Sequence, residues 1–62
     1  MKRVLILEDD MELARAWEAG FISIGWSADL VLNINAANKM LEIKDYDAVI
    51  VDMFIRDASG KL

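Results

Sequence analysis

The stretch VLILEDD, residues 4–10, sets four consecutive apolar side chains directly against three consecutive acids. Apolar residues that do not alternate with polar ones, with β-branched Val4 and Ile6 among them, suit a strand buried on both faces. That is the signature of a parallel sheet covered by helices. The acids then fall at the carboxyl end of the strand. Three neighbouring like charges repel, so solvent, a helix N-terminus or a bound cation has to offset the cost. Asp9 or Asp10 suits a helix N-cap, with Glu12 in the first turn where the helix dipole favours an acid. Glu8 reads equally well as a solvated loop acid.

Working outward, Met11 to Ile24 carries Leu13, Trp17, Phe21 and Ile24 at helical spacing, with Arg15 and Glu18 off that stripe. Trp17 on this stripe reads as core. Gly25 stands where a glycine ends a helix. Trp26 to Leu32 reads as a second strand, with Trp26, Ala28, Leu30 and Leu32 on one side and Ser27 and Asp29 on the other. Asn33 or Asn35 suits the cap of a short second helix whose apolar face is Ala37, Met40 and Leu41, and Asp45-Tyr46-Asp47 breaks it. Ala48 to Val51 repeats the pattern of the first strand: apolar throughout, then stopped by an acid, Asp52. Ser59-Gly60 is a turn signal.

Strand, helix, strand, helix, strand with crossovers of this length predicts parallel strands joined right-handedly. The expected fold is a single α/β domain over residues 1–62. It is a flavodoxin-like, three-stranded parallel sheet in the order 2-1-3 with helices on both faces. The third strand would keep an open edge, which invites pairing.

In that arrangement the carboxyl ends of strands one and three lie side by side, where open α/β sheets bind ligands. Asp9 and Asp10 follow one strand and Asp52 follows the other. Carboxylates converging there call for a proton or a divalent cation between them, and magnesium fits: it takes hard oxygen ligands and is commonly held by one or two carboxylates plus a phosphate. Asp10 is then the direct ligand, Asp9 acts through water, and Asp52 both ligates and serves as nucleophile toward a phosphoryl group. The competing explanation is structural: a cap for the pair, and a polar strand stop for Asp52.

Composition narrows the classes. With no cysteine, disulfides and thiolate metal sites are excluded, which leans toward a cytoplasmic setting. With no histidine, the commonest general base is missing. A net charge of −4 argues against direct nucleic-acid binding. The apolar run after Lys2-Arg3 ends at Leu7, too short for a signal peptide or a membrane span. The first strand–helix turn has no glycine, so no G-x-G-x-x-G loop cradles a nucleotide. Apolar residues make up 56% of the chain, which suggests hydrophobic surface left for a partner.

LILEDD, DYDAVIVDM and the spaced Ser59-Gly60 together resemble the first half of a response-regulator receiver domain of two-component signalling. The resemblance implies magnesium at the acid pair, carried here onto Asp9 and Asp10, and a phosphoacceptor at Asp52 served by a histidine kinase or phosphotransfer protein. It also implies a backbone metal ligand at the Phe54 carbonyl and a turn glycine at Gly60. Arg56 stands where the family commonly has proline. Complete receivers have five strands and supply a hydroxyl residue from strand four and a lysine from strand five to hold the phosphoryl oxygens. Residues 1–62 reach only the third strand, and Lys61 lies beyond the loop. Loss of one such donor costs roughly 3 kcal/mol in a transition state, so phosphorylation is expected to be impaired in this short form, with self-phosphorylation at most and no enzyme turnover. The alternative expectation is a non-catalytic truncated or engineered receiver fragment, homodimeric through the strand-three edge, with Phe54 and Ile55 recruited to the interface.

Overall fold

The computed structural model describes residues 1–51, in the order β1 (Arg3–Leu7), α1 (Met11–Ser23), β2 (Ser27–Val31), α2 (Ile34–Ile43) and β3 (Ala48–Val51). The strands form one parallel sheet in the order β2-β1-β3, as the sequence pattern predicts. β1 is central because its side chains can be buried in both directions. Val4, Leu5 and Ile6 are fully buried and Leu7 nearly so.

Successive strand residues face opposite ways, and the two helices divide the sheet accordingly. Leu5 and Leu7 pack with Val31 and with Ala36, Ala37 and Met40 of α2. Val4 and Ile6 face the other way, where α1 rests on β1 and β2. Neither helix contacts β3, so Val49 and Val51, on the α2 face beside Leu5 and Leu7, remain 44% and 54% exposed.

Local chemistry sets the helix ends. Asp10 is the N-cap of α1, its Oδ1 accepting from the amides of Glu12 at 3.0 Å and Leu13 at 3.3 Å. Asn33 caps α2, accepting from Ala36 N–H at 2.8 Å. Of the two candidates for each cap, these are the ones used. After α1, Gly25 takes φ +87°, a conformation that side chains with a Cβ rarely adopt, so the predicted terminating glycine is in place. α2 ends at Ile43, just ahead of the Asp45-Tyr46-Asp47 break.

Three expectations about packing need correcting. On α1 the fully buried residue is Ala14, while Leu13 and Ile24 stay exposed and Trp17 and Phe21 are half-buried. A small residue lets the helix approach the sheet closely. The large side chains then line the helix flank, where Ala16, Trp17, Gly20, Phe21 and Ile24 surround an open hollow of about 290 Å³. On β2 the buried residue is Val31, on the side of Ser27 and Asp29 rather than of Leu30. Each face of β2 is partly covered by a helix, and Asp29 is tolerated among apolar neighbours because it is hydrogen-bonded. Leu41 of the expected α2 face is exposed; Ala37 and Met40 carry the contact.

Candidate functional site at the carboxyl end of the sheet

The register brings Leu7 beside Val51. The residues that follow in sequence are Glu8-Asp9-Asp10 on one side and Asp52 on the other. The acid run therefore leaves the carboxyl end of the central strand directly beside the end of β3. Asp52, Phe54 and Gly60, which complete the expected site, lie outside the described residues, as does Lys61.

The three acids have different surroundings. Glu8, for which a solvated loop position was one of two equal readings, is 1% exposed. Its amide donates to Val31 C=O at 3.1 Å, so its backbone extends the β1–β2 pairing by one residue, and its Oε1 accepts from Asp10 N–H at 2.9 Å. This bond folds the turn back on itself and sets Asp10 at the start of α1. A side chain one residue past the end of a strand buried on both faces falls under the same cover, a signal the charge run conceals. Asp9 is exposed on the turn, and Asp10 is exposed at the helix start. Among the described residues neither Asp9 nor Asp10 is ion-paired with a basic side chain.

Among the described residues no group of three or more His, Cys, Asp or Glu side chains is gathered closely enough to hold a metal ion. What stands at this end is a set of hard oxygen donors on a turn pinned by backbone amides. The cap uses a single oxygen of Asp10, Oδ1. The chemistry of such a donor set suits magnesium, which keeps several waters and needs few protein ligands. Glu8 is the carboxylate that sequence reasoning set aside and that burial brings to the end of β1.

A second polar cluster joins the middle of β2 to the segment that leads into β3. Asp29 Oδ2 accepts from Tyr46 Oη–H at 2.6 Å and from Lys44 Nζ at 3.3 Å. The Tyr46 hydroxyl holds the Asp29 carboxyl below its ordinary value of 3.8, burial opposing and Lys44 reinforcing it. Burial, followed by the bond to Asp29, pushes Tyr46 up to about 12. Asp47 Oδ2 accepts from Arg3 N–H at 2.8 Å, tying the start of β3 to the start of β1.

Fold and site together define the class: a doubly wound parallel α/β unit with carboxylates at the end of its central strand. No family model matches the chain, and comparisons with curated proteins and with solved structures give no match. No helix among the described residues is long and apolar enough to cross a membrane.

Proposed function

We propose that the chain is a receiver-like phosphoacceptor module. Asp52 takes a phosphoryl group from a phosphohistidine of a kinase or phosphotransfer protein, with magnesium at the acid run. The observation that carries this is the parallel register of β1 with β3: Leu7 beside Val51, each followed at once by an acid. A carboxylate oxygen of Asp52 attacks phosphorus, the P–N bond breaks, and the leaving imidazole recovers its electron pair and a proton. Bound magnesium would neutralise the phosphoryl oxygens and offset the repulsion between the acids. Asp9 and Asp10 would hold it, Asp10 directly and Asp9 through water, with Asp52 and the Phe54 carbonyl as further ligands. The Glu8–Asp10 hydrogen bond orients the turn that presents them. A cytoplasmic setting accords with the absence of cysteine.

The test uses Trp17 and Trp26 as reporters. Fluorescence is followed on adding magnesium and then a small acyl phosphate, in the natural chain and in Asp52→Ala. A donor-dependent change in the natural chain alone is expected, with a gain of one phosphoryl mass. Equal responses would remove Asp52 as acceptor.

A second reading, a self-associating structural module without phosphotransfer, is favoured by one feature. Among the described residues the outer edge of β3 pairs with no strand, and no helix covers its valines. It predicts an oligomer whose stability barely responds to magnesium.

A further inference from the structure

We propose that two copies of the chain join their β3 strands antiparallel about a two-fold axis normal to the sheet, with Ile50 on the axis, making one six-stranded sheet. This rests on the self-association reading above and is independent of phosphoacceptor chemistry.

Charge selects the edge and its occupant. β1 begins with Arg3 and β2, the other edge strand, carries Asp29, whereas Ala48-Val49-Ile50-Val51 holds no charge. A chain of net charge −4 repels its own copy. The neutral edge is therefore where two copies meet at least cost, while β2 against β2 would bring two Asp29 carboxylates toward each other. Edge strands avoid pairing through proline, charge or bulges, and β3 has no proline and no charge. An isologous contact needs a self-complementary surface, and an antiparallel ribbon is one.

The alternation of side chains fixes the register. A two-fold axis normal to the sheet keeps both α2 helices on the same side, so residues on the α2 face must oppose residues on that face. Val49 and Val51 share it with Leu5 and Leu7. With Ile50 on the axis, each Val49 opposes the other copy's Val51, and the exposed valines gather into one cluster of four. Placing Val49 on the axis would instead oppose Val49 to its own copy and Val51 to Asp47, so the four exposed valines would not gather into one cluster. Directly opposed cross-strand pairs supply the stabilisation in such ribbons. Four residues per copy make a short contact, small beside the roughly 1,000 Å² of a lasting interface, so the dimer depends on concentration.

The experiment combines sedimentation with single-cysteine cross-linking in a chain that has no cysteine of its own. At about 100 µM the mass should double; the Val49→Lys variant should sediment as a monomer, and Ile22→Lys, on exposed α1 surface, should still dimerise. On mild oxidation Ile50→Cys should cross-link, because opposed Cα atoms lie about 4.5–5.5 Å apart. Val49→Cys should not, because its own copy sits diagonally at roughly 8 Å, beyond disulfide reach. Cross-linking at 49 and not at 50 would overturn this register while leaving the β3 contact standing. A dimer that cross-links at neither position would overturn the β3 contact. A monomer would overturn the self-association reading with it. Circular dichroism shows whether Val49→Lys still folds; if it does not, the cysteine pair decides.

Discussion

The two ends of the sheet treat their carboxylates differently. Toward the amino end, Asp29 in the middle of β2 is matched by a tyrosine hydroxyl and a lysine from the segment before β3, and Asp47 is fastened to the backbone of the central strand. At the carboxyl end, Asp10 and the Oε1 of Glu8 are held by main-chain amides, and Asp9 stands exposed on the turn between them. Asp29 and Asp47 each tie a strand to a distant segment, Asp29 through side chains and Asp47 through the Arg3 amide, whereas Asp10 Oδ1 and Glu8 Oε1 accept from amides of their own turn. A neutral amide orients a carboxylate without bringing an opposite charge to it. The contrast separates an end whose acids join distant segments from an end whose acids shape one turn.

The largest expected effect that would test this contrast is at Tyr46. Tyr46→Phe leaves a partly buried Asp29 carboxylate without its strongest donor and should lower stability by about 1.5 kcal/mol, measured by urea unfolding followed through tryptophan fluorescence. Because folding raises the Tyr46 pKa from 10.0 to about 12, its contribution is whole below pH 10 and disappears as pH climbs through about 12. Asp29 behaves oppositely: its contribution is present above pH 3.8 and is lost as pH falls through its lowered folded value. As the chain has a single tyrosine, ultraviolet titration reads this phenol directly. Asp29→Asn should return it toward 10.

A smaller loss, about 1 kcal/mol, is expected for Asp10→Ala, which strips α1 of its cap. Asp10→Asn and Asp10→Ser keep a capping oxygen and should recover most of it, so a full loss in all three would mean that the acid serves the fold through its charge. Asp9→Asn should change stability by less than about 0.5 kcal/mol in chelator, as surface substitutions do. Its effect should appear only as a loss of magnesium-dependent stabilisation. If Asp9→Asn proves as costly as Tyr46→Phe without metal, the two ends are alike and the contrast fails. Smallest of all should be Arg15→Ala: its pair with Glu18 spans 3.9 Å across exposed helix surface, and such pairs contribute a few tenths of a kcal/mol at most.

How much of this was legible beforehand follows from how local each cause is. The strand order was readable because the uninterrupted apolar run at 4–7 suits the middle of a helix-covered parallel sheet; the like run at 48–51 joins the same sheet, although neither helix covers it. The caps were readable to within one choice each, since Asp and Asn side chains reach amides two or three residues away. The packing of α1 was misjudged for a reason helical periodicity cannot supply. Periodicity finds an apolar stripe, but the distance of closest approach selects Ala14 over Leu13. Glu8 is left open by the sequence because a carboxylate in a charge run can be solvated or buried, and only the structure shows that its backbone continues the β1–β2 pairing and that its side chain is inside.

The chain's own chemistry therefore determined the elements, their parallel order, the cap types and the presence of acids at strand ends, because each depends on neighbours within a few residues. Only the tertiary structure decided which acid is buried, which caps a helix, and that Asp29 is bound to Tyr46 seventeen residues away. Those outcomes depend on which surfaces meet when helices settle on a sheet, and no local pattern carries that information.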